Sequence, residues 1–141
     1  MTPQSMRTAF DKELASIQDM LLRMGSLVDR ALRRAMDSLE TLDEGKARQV
    51  VADDEEINDL RFDIEDACLA IIARQQPAAG DLRRIVAAMS IVLDLERIGD
   101  YAAGIGKTVI RLKEEKAVLD PPPGLLRMYD LARTMLKDVL D

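Results

Sequence analysis

Phe10, Leu14, Ile17, Leu21, Met24, Val28, Ala31 and Ala35 follow one another at alternating steps of four and three. That spacing keeps one apolar line on a single face of an α-helix and lets it seam against another helix. It predicts a helix from about residue 4 to about residue 43, started by Thr2-Pro3 or Ser5. Asp43-Glu44-Gly45 supplies the expected stop, with Gly45 taking the left-handed conformation that closes many helices. At about 1.5 Å per residue, forty helical residues extend roughly 60 Å. A unit built on such a helix is a rod rather than a globule.

The rest of the chain reads the same way. A second helix is expected over about 46–75, burying Val50, Ile57, Leu60, Ile64, Cys68 and Ile71. Gln75-Gln76-Pro77-Ala78-Ala79-Gly80 breaks it, because proline disfavours helix in the residue before it and suits the first turn of the next. Asp81 suits the start of a third helix over about 79–117, whose seam reads Ile85, Met89, Val92, Glu96, Gly99, Ala103, Gly106 and Ile110. Two glycines in a seam each cost roughly 1 kcal/mol relative to alanine, so they imply close approach of a neighbouring helix. Asp120-Pro121-Pro122-Pro123 ends this unit, and residues from about 124 to 141 form a fourth amphipathic helix with Leu125, Met128, Leu131, Met135 and Val139. Aromatics at 3% and charged residues at 33% suit long packed helices better than a sandwich or barrel. The expected fold is all-α: an antiparallel three-helix bundle over 4–118, then a proline linker and the start of a further helix over 119–141.

Two polar motifs interrupt the apolar lines. Asp54 and Asn58 stand four residues apart on the second helix, and Glu96 and Asp100 stand four apart on the third, so each pair shares a helix face. A turn centred near Pro77 pairs antiparallel residues whose numbers sum to about 154, setting Asp54 near Asp100 and Asn58 near Glu96. Four oxygen-bearing side chains therefore converge. Glu96 occupies a seam slot between Val92 and Gly99, and Asp54 lies on the series Val50, Asp54, Ile57, Arg61, Ile64. A carboxylate in such a slot is desolvated, paired or metal-bound. Two readings stay open: a metal site, or a wet edge at which Arg61, Arg97 or another basic side chain satisfies the acids. Oxygen ligands of this kind suit magnesium, calcium, manganese or iron, with zinc also within reach of Asp and Glu.

Other features exclude more than they assign. The chain has no histidine, which rules out a His-based triad, a His-containing zinc site and the Glu-x-x-His di-iron arrangement. No nucleophile and base accompany the four oxygens, so a binding or scaffolding role is expected rather than an enzyme. A net charge of −6 argues against a broad nucleic-acid footprint. One cysteine, Cys68, cannot form an internal disulfide, and no apolar run is long enough to cross a membrane. A cytoplasmic setting, with the membrane reached only through partners, is the expectation. Gly104-Ile105-Gly106-Lys107-Thr108 ends like a phosphate loop but lacks its first glycine, since Tyr101 stands there, and follows a helix rather than a strand. Glu55, Glu56 and Asp59 read as surface, Arg83, Arg84 and Arg97 as surface salt-bridge partners or, alternatively, a contact for phosphate or an acidic partner, Lys107 as solvated, and the methionines as core filler.

The stretch from Ile71 to Arg83, with its Gln-Gln-Pro turn and Asp-Leu-Arg, and then Leu95-Glu96-Arg97-Ile98-Gly99-Asp100 together resemble the PhoU family of phosphate-uptake regulators. The resemblance covers roughly residues 6–118, with Asp54 and Asn58 at the first of the family's paired acidic motifs and Glu96 and Asp100 at the second. It implies two similar three-helix bundles per protein and metal, such as iron or zinc, at the motifs. It also implies a cytoplasmic, non-enzymatic negative regulator linking the ATPase subunit of a phosphate ABC transporter to a sensor histidine kinase. Asn58 departs from an acid at its position and weakens charge-based metal binding. The second bundle barely begins within this chain, which is then either part of a longer protein or completed by oligomerising, and an apolar fourth helix favours a homodimer. Competing classes are a metal-storage or metal-dependent hydrolytic bundle and a purely structural helical oligomer.

Overall fold

The computed structural model describes residues 2–141 and has four helices: α1 (Pro3–Thr41), α2 (Glu44–Gln75), α3 (Ala79–Glu114) and α4 (Leu125–Leu140). No strand occurs among the described residues. The first three helices form an antiparallel bundle in which each packs on the other two, whereas α4 lies against α1. This is the all-α bundle with a further helix that the periodicity predicts.

Helix ends follow local chemistry. Thr2 caps α1, its Oγ1 accepting the Ser5 N–H at 3.1 Å, with Pro3 in the first turn. The expected left-handed stop at Gly45 is corrected: Leu42 takes that conformation, with φ of 48°. Asp43 caps α2 instead, accepting the Lys46 N–H at 3.0 Å, so α2 starts early enough to include Gly45. Only Leu42 and Asp43 remain to reverse the chain. Gln76 closes α2 in the left-handed region, its N–H donating to the Ile72 carbonyl at 3.1 Å. Asp81 falls in the first turn of α3 and binds Arg7 of α1 at 2.6 Å, while Ala78 caps the helix without a side-chain hydrogen bond. α3 ends at Glu114, short of both the expected 117 and the proline tract.

All eight predicted seam residues of α1 are buried, as are all six of α2. The seam of α3 is wider than expected. Met89, Glu96 and Ile110 are only half-buried, and a second row, Ala88, Leu95, Ala102 and Val109, lies in the core beside Ile85, Val92 and Ala103. A helix that faces two partners needs a broader apolar stripe than a single seam provides.

The core tapers. Near the Pro77 turn it is filled by Phe10, Leu14, Ile64, Cys68, Ile71 and Ile85, and at the other end by Ala35, Ala47, Ala103 and Gly106. A Cβ on Gly106 would stand 2.9 Å from the Ala47 carbonyl oxygen, and one on Gly99 would stand 3.3 Å from both Asp54 Oδ1 and Ile57 Cγ2. Both seam glycines therefore serve close approach of α2, as their cost implies. Residues that touch across α2 and α3, including Gly99 with Asp54, Gly106 with Ala47 and Glu96 with Arg61, fall within one helical turn of the pairing expected from a turn at Pro77. The glycines bring the two polar motifs to the narrow part of the bundle.

Candidate functional site

Asp54 and Asn58 sit on one turn of α2, and Glu96 and Asp100 on one turn of α3. The close fit of Gly99 over Asp54 sets their depth. Asp54 Oδ1 is shielded from water and has no hydrogen-bond partner, an arrangement that ordinarily costs on the order of 1–3 kcal/mol. Burial raises the carboxyl above its usual range, and the charge of Asp100 raises it further, with a smaller push from Glu96. Lys107 and the Asn58 amide pull it back down. Asp54, Asn58, Glu96 and Asp100 thus share one electrostatic neighbourhood, with Asp100 exposed at its rim.

Glu96 is held differently. Arg61 Nη1 donates to Glu96 Oε1 at 3.0 Å, and Arg61 Nε donates to Glu65 Oε1 at 3.1 Å. Glu96 Oε2 lies out of water 2.9 Å from the same guanidinium nitrogen, so both oxygens of the carboxylate face Arg61. The paired reading therefore applies to Glu96, through Arg61, and not to Asp54. Among the described residues, no three Asp, Glu or Cys side chains gather closely enough to enclose a metal ion in this arrangement.

Lys107 is exposed as expected, yet its charge reaches Asp54. The signal was its position seven residues after Asp100, two turns along the same face. Glu65 was missed as well, and its signal was the four-residue step from Arg61. The Gly104–Thr108 run is continuous α-helix, so it forms no phosphate loop. Cys68 is fully buried, and burial pushes its thiol pKa up, which leaves it unreactive.

Residues 21–109, the span that holds both motifs and most of the bundle, match the PhoU domain. The chain belongs to the PhoU family. A relative from Pseudomonas putida, described as a phosphate-specific transport system accessory protein PhoU homolog, is 41% identical over 135 residues. That match takes in 94% of this chain and 52% of the relative. Among solved structures, PhoU from Pseudomonas aeruginosa superposes with a TM-score of 0.84 at 37% identity, covering 94% of this chain and 63% of that one. The phosphate transport system regulatory protein PhoU from Streptococcus pneumoniae gives a TM-score of 0.82 at 35% identity, covering 93% of this chain and 61% of that one. This PhoU-family chain thus spans between half and two thirds of the length of the relatives it matches.

Proposed function

We propose that this chain regulates phosphate uptake as a cytoplasmic, non-enzymatic adaptor between the ATPase subunit of a phosphate ABC transporter and a sensor histidine kinase, acting to restrain uptake. One observation carries this reading: the PhoU domain match spans both polar motifs, and relatives similar over nearly the whole chain are described as accessory or regulatory proteins of phosphate transport. The absence of any helix long and apolar enough to cross a membrane among the described residues is consistent with membrane contact through partners.

The proposal includes a divalent or trivalent cation, iron, zinc, manganese or magnesium, held by Asp54, Asn58, Glu96 and Asp100. The donor chemistry of these residues suits such an ion, around which their side chains would have to close. Asp54 Oδ1 is dry and lacks a donor, its charge is opposed by burial and by two neighbouring acids, and Glu96 on the adjacent helix is paired with Arg61. A hard cation would supply the missing positive charge. Asp54 and Glu96 would give it anionic oxygens, Asn58 a neutral one, and Asp100 a further carboxylate from the rim. The ion would then tie α2 to α3. Homodimerisation through the apolar face of α4 completes the reading.

The test is affinity capture from phosphate-replete cells, comparing the native chain with Asp54→Asn/Glu96→Gln. Recovery of the transporter ATPase and the kinase with the native chain is the expected result, together with raised phosphate uptake when the gene is deleted. Recovery of neither protein, with uptake unchanged on deletion, would refute the adaptor role.

A further inference from the structure

Arg61 occupies an unusual position for a side chain beside a candidate cation site. It follows Asp54 on α2 by seven residues, on the same face, and its guanidinium bridges Glu96 of α3 and Glu65 of α2. All three side chains are largely withdrawn from water, with relative exposures of 26% for Arg61, 18% for Glu96 and 23% for Glu65. The pair is therefore screened less than a surface salt bridge.

We propose that Arg61 is a resident cation that competes with metal for Glu96, so that loading the site requires Arg61 to yield this carboxylate. The inference rests on the reading that Asp54, Asn58, Glu96 and Asp100 bind a metal ion. A guanidinium on Glu96 and a metal ion on Glu96 draw on the same negative charge, and one carboxylate cannot serve both fully. Arg61 Nη1 lies 3.0 Å from Glu96 Oε1 and 2.9 Å from Oε2, so the guanidinium stands against both oxygens that a metal ion would use. Arg61 reaches Glu96 but does not satisfy Asp54 Oδ1.

Arg61 also has a second perch. Its Nε holds Glu65 four residues on, and the guanidinium carbon lies 5.1 Å from the centroid of the Phe62 ring. Released from Glu96, the side chain keeps a carboxylate partner and a cation–π contact on its own helix. Metal loading then exchanges one link between α2 and α3, Arg61 to Glu96, for another through the ion. Arg61 is thus a positioning residue that sets metal affinity without being a ligand.

The experiment is calorimetric titration of the EDTA-stripped chain with Mn²⁺, with Zn²⁺ titrated in parallel, for the native sequence, Arg61→Gln, Arg61→Met and Arg97→Gln. Removing the competitor is expected to tighten binding at least tenfold, about 1.4 kcal/mol. Arg61→Met guards against a folding artefact, because it keeps an unbranched stem beside Phe62 and loses only the charge. Arg97 is exposed and adjacent to Glu96 in sequence, so Arg97→Gln measures the general effect of losing one positive charge nearby. A gain confined to the Arg61 variants and cancelled by adding Glu96→Gln supports the competition. Equal affinity in the native chain and the Arg61 variants, lost on Asp54→Asn/Asp100→Asn, overturns the role of Arg61 while leaving the metal site intact. An equal gain in Arg97→Gln also overturns it, reducing the effect to net charge. No binding by any variant removes the metal reading and this inference together.

Discussion

Asp54 carries a charge that its surroundings oppose, and the opposition has a direction in pH. Burial is the largest cause, the Asp100 charge comes next, and Glu96 adds to both, against Lys107 and Asn58. A carboxyl whose folded-state pKa lies above its unfolded value binds its proton more readily when folded. Stability therefore rises as pH falls from neutrality through that raised pKa, and the difference fades near 3.8, where the unfolded chain takes up the proton as well. Asp54→Asn should accordingly raise the Tm of the EDTA-stripped protein at pH 7, by less than the few degrees that about 1 kcal/mol gives in a chain of this size, because water at the partly exposed carboxyl screens the effect. The advantage should shrink steadily as the pH is lowered toward 4. Thermal melts across that range decide the matter, and a lower Tm for the variant at pH 7 would mean that Asp54 makes a contact worth more than its desolvation. If Asp54 holds a metal ion as proposed, adding Mn²⁺ should reverse the order, because only the native chain would gain the binding free energy.

At the scale of a helix, α3 holds two glycines two residues apart with opposite roles. Gly106 faces the Ala47 carbonyl, where a methyl would meet backbone at 2.9 Å, while Gly104 is exposed with nothing within 4 Å of an added Cβ. Gly106→Ala should therefore destabilise by about 1–3 kcal/mol, the usual cost of overpacking. Gly104→Ala should stabilise by up to about 1 kcal/mol through helix propensity alone. Urea denaturation of the two variants checks the sign, and a stabilised Gly106→Ala would show that α2 and α3 can separate there at no cost. The seam glycines were legible in the sequence because a glycine in an apolar slot weakens its own helix and is offset there by the close approach it allows. The single lines of α1 and α2 were legible for a similar reason, since one periodic line specifies one buried face. α3 was half-legible: its second row, Ala88, Leu95, Ala102 and Val109, is ordinary helix composition until two partner helices are known. The height match of the polar motifs followed from Pro77, but whether Arg61 holds Glu96 depends on side-chain torsions that periodicity does not encode. Leu42 replaced Gly45 as the left-handed stop because Asp43 was claimed as a cap by the next helix.

The molecule as a whole is a rod with one helix attached along part of its length. α4 meets α1 through Leu136 and Leu140, with Arg133 donating to Asp29 at 2.7 Å and Leu140 seated over Gly25. Its other apolar row, Met128, Leu131, Met135 and Val139, recurs at steps of three and four and stays open to water, with exposures from 55% to 70%. This is the face on which the fourth helix was expected to be amphipathic, and in the bundle it has gained no cover. Beside it, Ile91, Leu95 and Ile98 of α3 line a groove of about 340 Å³ with Met135, Leu136 and Val139. Fully burying a large apolar side chain is worth about 1.5–3 kcal/mol. Four such residues from each of two copies, already partly covered, contribute on the order of 10 kcal/mol, comparable with the cost of association at about 4–15 kcal/mol. With the cost at the low end of that range the surplus is about 6 kcal/mol, a Kd of roughly 40 μM, so self-association of this chain should depend on concentration from tens to hundreds of micromolar. Light scattering coupled to gel filtration should show the mass rising from one chain to two, and Met135→Glu/Val139→Glu should hold it at one while leaving Tm unchanged, because neither side chain belongs to the bundle core. A constant monomer mass for the native chain would rule out α4 as a dimer face. A fall in Tm for the double variant would instead mean that α4 packs on its own bundle more tightly than its exposure implies.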